Sequence, residues 1–80
     1  MTIEDLKTAA AKVAGELRES AVQSNRDLAK ELRARFIAIR AELFQRGIFD
    51  PILVRFDSAT VPQASPKEIA DALSLVALNL

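Results

Sequence analysis

The 80-residue chain contains no cysteine, no histidine, no tryptophan and no tyrosine. Each absence removes a class of function. Without cysteine no disulfide can staple a small core, and without cysteine and histidine together the two dominant ligands of structural zinc sites are missing. Without histidine, Ser20, Ser24, Ser58 and Ser65 have no imidazole to activate them, which leaves only a serine–lysine arrangement formally open. Glu16, Glu19, Asp27, Glu31 and Glu42 are equally short of company, because carboxylate metal sites in helical bundles recruit Glu-x-x-His pairs. No catalytic residues, metal, cofactor or small-molecule substrate are therefore expected. The four phenylalanines are the only aromatics, so an interface should be mostly aliphatic.

Net charge is absent too: eleven basic residues balance eleven acidic ones, and no global field draws the chain to nucleic acid or anionic lipid. No stretch approaches the ~20 apolar residues that span a bilayer, so membrane binding is not expected. The opening MTIEDLKTAAAKV places Glu4 and Asp5 where a signal peptide needs basic residues. With no cysteine besides, a cytoplasmic location is the expectation.

What is present is the balance of a folded chain: half the residues are apolar and 28% are charged. The length allows a single domain, residues 1–80, and a core of this size hides only about 60–65% of the unfolded surface. Self-association is the staple that remains.

Thr2 with Asp5 resembles a capping box, and Gly47 suits a left-handed helix ending with Ile48 packed back on Leu43. Between them Leu6, Ala10, Val13 and Leu17, then Leu28, Leu32, Phe36, Ile39 and Leu43, recur at helical spacing along one slowly drifting stripe. The pattern predicts an all-α fold with a long helix over about residues 3–46. The stripe weakens in SAVQSNRD, residues 20–27, where Ser24 with Asp27 offers a second cap; a break there gives helices over 3–20 and 25–46 and a three-helix bundle. The absence of Gly and Pro from that patch favours the unbroken helix.

Ser65-Pro66-Lys67-Glu68 supplies an N-cap serine, a proline at the first helical position and a glutamate three residues after the cap, opening a C-terminal helix over 66–79. Ile69, Leu73, Val76 and Leu80 share one of its faces while Leu75 and Leu78 lie on another, so it demands cover on two sides. An interfacial membrane helix would carry basic residues along one face, and this one has only Lys67, at its start.

Lengths then carry the inference about partners. An unbroken helix of about 44 residues makes a rod of ~65 Å, and a returning helix of about 15 residues covers ~22 Å of it. The stripe through Ile3, Leu6, Ala10, Val13 and Leu17 is left without a partner in its own chain. An antiparallel homodimer, or a helical protein partner, would cover it.

The connector over 48–64 is unusually apolar. Ile52, Val54 and Phe56 alternate with Leu53, Arg55 and Asp57, which suggests a short strand, but the only mate within the chain, residues 60–63, contains Pro62. The favoured reading is an extended strap that sends the C-terminal helix back antiparallel and inserts Phe49, Ile52, Val54 and Phe56 beside Leu43, Ile39 and Phe36. The other reading pairs the segment with its copy across a two-fold axis.

Arg26, Lys30, Arg33 and Arg40 lie close together on the helix surface with Ile37 among them. Residues 26–55 hold seven basic and four acidic side chains, a surplus too small to make nucleic acid the favoured partner; a solvated face is the blander account. The leading expectation is a non-enzymatic interaction or assembly module that self-associates through the aliphatic stripe, with Phe56 joining that interface. A small nucleic-acid-binding regulator using the four basic residues is the alternative.

Overall fold

The computed structural model describes residues 2–57 and 59–80; Ser58, one of the serines considered above, lies outside them. Among these residues the chain is all helical, with no strand. Four helices, α1 (Ile3–Gln23), α2 (Arg26–Gln45), α3 (Pro51–Arg55) and α4 (Pro66–Asn79), are joined by short turns, the last of which includes a single 3-10 turn, Val61–Gln63. α1, α2 and α4 form a three-helix bundle.

α1 starts where its capping box predicts. The Thr2 hydroxyl accepts from the Asp5 N–H and the Asp5 carboxylate accepts from the Thr2 N–H, both at 3.1 Å. The favoured continuous helix is corrected at its middle, and the break offered as the alternative is the one the chain adopts. Ser24 takes the left-handed conformation at φ 55°, and the Asn25 N–H donates back to the Ser20 carbonyl at 3.0 Å, the closing bond of a Schellman ending. Asn25 then caps α2 by accepting from the Leu28 N–H at 3.1 Å; the expected Ser24–Asp27 pair does not. Two residues thus end one helix and begin the next. The longest dimension is 34 Å, about half the ~65 Å rod of an unbroken helix.

α2 stops as read from the sequence. Gly47 sits at φ 79°, its N–H donates to Phe44, and the Ile48 N–H reaches the Leu43 carbonyl at 3.0 Å. The apolar connector differs from the expected extended strap. Asp50 accepts from the Ile52 N–H at 2.9 Å, Pro51 occupies the first helical position, and one turn of helix, α3, follows. Helical side-chain spacing replaces alternation, so Leu53 and Phe56 turn inward with Val61, while Phe49 and Val54 stand 65% and 56% exposed. Phe49 and Val54 therefore do not insert beside Phe36 as expected. Ile52 is only partly buried, at the edge of the core.

α4 opens at Ser65, whose hydroxyl accepts from the Glu68 N–H at 3.2 Å, and runs antiparallel to α1. Arg18 of α1 donates to Asp71 and Ser74, both at 3.0 Å, while Lys7 and Ala11, nearer the start of α1, border the same shallow depression as Ala77 and Leu78 near the end of α4. α4 packs chiefly on α1, with a lesser contact to α2 and to α3. The core gathers Leu6, Leu17, Leu32, Phe36, Leu43, Leu53, Ile69 and Leu73, all fully buried; each such side chain stabilises the fold by about 1.5–3 kcal/mol relative to exposure. Ser20 is the buried polar residue among them, satisfied by donating to the Leu17 carbonyl at 2.8 Å.

The break removes the premise of the expected dimer. Leu6, Ala10, Val13 and Leu17 are buried in the core that α1 shares with α4, Ile3 packs at its margin, and Phe56 is buried against Phe36. Of the six residues read as an intermolecular interface, five are core residues of one chain and Ile3 packs against that core. Folding the ~65 Å rod in half lets a helix of 14 residues cover what it could not cover on a straight one.

Candidate functional site

A groove of about 860 Å³ opens along one side of α2. Helical spacing builds its long wall: Arg26, Ala29, Lys30, Arg33, Ala34 and Ile37 follow one another at three, one, three, one and three residues, which sets them on one face over about 11 residues, or ~17 Å. Val61, Pro62 and Pro66 form the facing wall, and Ser20, Ala21, Ser24 and Asn25 close one end at the α1–α2 turn. The floor is aliphatic and mostly small, since alanine at 21, 29 and 34 lets another chain approach the backbone closely.

The rim is basic. Arg26, Lys30 and Arg33 border the groove, and no acidic residue lines it among the described residues. Elsewhere Arg18 pairs with Asp71 at 3.0 Å, Arg35 with Glu31 at 3.0 Å and Arg46 with Glu42 at 3.3 Å. Arg26 and Lys30 enter no ion pair among the described residues, and these exposed pairs elsewhere stabilise the fold by only a few tenths of a kcal/mol each.

Arg33 holds the two walls together. Its Nη2 donates to the Ala64 carbonyl at 2.9 Å, tying α2 to the segment before α4, while its buried Nε has no partner among the described residues. A buried donor left unmatched costs about 1–3 kcal/mol. Arg33 is thus fixed in place with part of its donor capacity unused.

Of the four basic residues singled out in the sequence, the structure brings three to the groove and diverts the fourth. Arg40 donates from Nε to the Leu53 carbonyl at 3.0 Å and lies over the Phe44 ring at 4.4 Å, so it clamps α3 onto α2. The interface candidates Ile3, Leu6, Ala10, Val13, Leu17 and Phe56 are absent from the groove, being held in or against the core. The facing wall leaves no signal of its own in the sequence, because Val61 and Pro62 fall within the apolar connector. Ala29 and Ala34 did leave a signal, since small residues interleave the basic stripe at spacings that put them on the same face.

Among the described residues no three carboxylates converge as a metal site would require, and no helix is long and apolar enough to cross a membrane. Phe44 and Phe49, 5.2 Å apart between ring centres, and Leu78, 76% exposed, are apolar outside the groove but line no comparable cavity. No protein-family model, curated protein or solved structure matches the chain.

Proposed function

We propose that the chain is a non-enzymatic protein-interaction module that receives a helical segment of a partner protein in the groove beside α2. The observation that carries this reading is the groove itself: an aliphatic floor of small side chains about three helical turns long, framed by a tethered second wall. An amphipathic helix laid in an apolar groove is a recurring recognition mode, read as anchors at i, i+3, i+4 and i+7. The lack of histidine and cysteine throughout the chain agrees with a binding role rather than a catalytic one. Self-association through the α1 stripe is set aside, because α4 already covers it.

The test is a nuclear magnetic resonance titration of the whole chain with an uncharged amphipathic helical peptide of three to four turns, leucine on one face and glutamine on the other. Shifts confined to Ala29, Ala34, Ile37 and Val61 are expected. Shifts on α4 or α3 instead, or none at all, would remove the groove as the binding site.

A further inference from the structure

We infer that the segment the groove receives is acidic, an amphipathic helix of about three turns whose carboxylates meet Arg26, Lys30 and Arg33 while its leucines rest on Ala29, Ala34 and Ile37. This rests on the reading of the groove as a protein-binding site and adds the chemistry of the partner.

Three observations favour acid. The rim presents one sign of charge, three cations with no acid among the described lining residues, in a chain that is neutral as a whole. Charge of one sign beside an apolar floor steers a segment of the opposite sign and penalises a basic one. Second, Arg26 and Lys30 have no carboxylate partner among the described residues, although Arg18 and Arg46 each have one and Arg35 has two. Third, the Arg33 guanidinium is held in place by its Nη2 bond to the Ala64 carbonyl, so an arriving carboxylate would find a positioned cation at the rim. Of the other lysines without an ion pair among the described residues, Lys12 and Lys67 border no groove and Lys7 borders only the shallow depression beside α4.

The open form and the small apolar floor favour a polypeptide over a single-stranded nucleic acid, which would seek aromatic stacking platforms, and among the described residues no aromatic lines the groove.

The experiment uses the whole chain and four probes measured by calorimetry: the leucine–glutamine peptide, the same peptide with glutamate in place of glutamine, the same with lysine, and a short single-stranded oligonucleotide. The glutamate peptide is expected to bind at least tenfold more tightly than the neutral one at low salt, the lysine peptide more weakly, and the gap should narrow as salt rises. Arg26→Glu with Lys30→Glu should invert that order. Both positions are exposed and Arg26 sits in the first turn of α2, where an acid suits the helix dipole, so the variant should keep its circular dichroism spectrum. Equal affinity for the neutral and glutamate peptides would overturn the acidic partner while leaving the groove a binding site. Binding by none of the peptides would overturn both readings, and tighter binding by the oligonucleotide would overturn the choice of a protein partner.

Discussion

The ring of Phe56 stands edge-on to that of Phe36, with 6.1 Å between centres and 87° between planes. Phe36 is completely buried in α2, and Phe56, just past α3, closes over it. Edge-to-face pairs contribute about 0.5–1.5 kcal/mol beyond the area they bury. Phe56→Ala should therefore destabilise the fold by about 3 kcal/mol or more, read as a lower urea midpoint. An unchanged midpoint would mean that the ring does not bear on the core.

Ser24 holds a left-handed conformation without being glycine. That backbone costs a non-glycine residue about 1–2 kcal/mol, and glycine returns part of the gain through its freer unfolded chain. Ser24→Gly should raise stability by about 0.5–1 kcal/mol, a rise of a few degrees in melting temperature. A drop would show that the serine side chain contributes something the backbone argument leaves out.

Asp57 accepts from the Thr60 and Ala59 N–H groups at 2.9 Å, which hold its carboxyl below the ordinary value of 3.8. Asp5 is lowered in the same way by the Thr2 N–H. A depressed carboxyl adds stability that is present above the unfolded value and lost as pH falls through the folded one. Stability should hold through neutral pH and decline below about pH 4, and Asp57→Asn should flatten that decline. Identical acid transitions in the two proteins would contradict the assignment to Asp57.

The covered α1 stripe predicts a monomer in sedimentation equilibrium up to high concentration. A stable dimer would require another face, and exposed Leu75 and Leu78 of α4 are the residues to substitute first, with Leu78→Glu expected to dissolve it.

How much of this was legible depends on how local each determinant is. The caps at Thr2, Ser65 and Gly47 were readable because one side chain and one neighbouring N–H decide each of them. The all-helical class followed from those signals with the apolar spacing, and the last helix does run back antiparallel, but on α1 and not along the C-terminal half of a long rod. Asp50-Pro51 uses the same device as Ser65-Pro66, a capping acceptor before a proline at the first helical position, yet the alternation of Ile52, Val54 and Phe56 concealed it. At Ser24 no glycine announces the left-handed turn; what selects it is the tertiary gain of burying the α1 stripe under α4 and against α2. The basic stripe was visible on the helix, but which of its members faced a groove was not. Arg40 was claimed by the Leu53 carbonyl and Phe44, contacts that exist only once α3 has packed.

The two-residue turn at Ser24–Asn25 also sets a schedule. The first two helices meet across almost no loop, whereas the Arg18–Asp71 contact joins positions 53 apart. Nearby segments find each other in microseconds, but synthesis at ~5–20 residues per second separates the end of the second helix from the end of the fourth by roughly 2–7 s. Until α4 has been made, Leu6, Ala10, Val13 and Leu17 lack the cover that the finished fold gives them. The pace of synthesis between the second helix and the fourth therefore bears, beside the strength of the finished core, on how long that stripe waits for its cover.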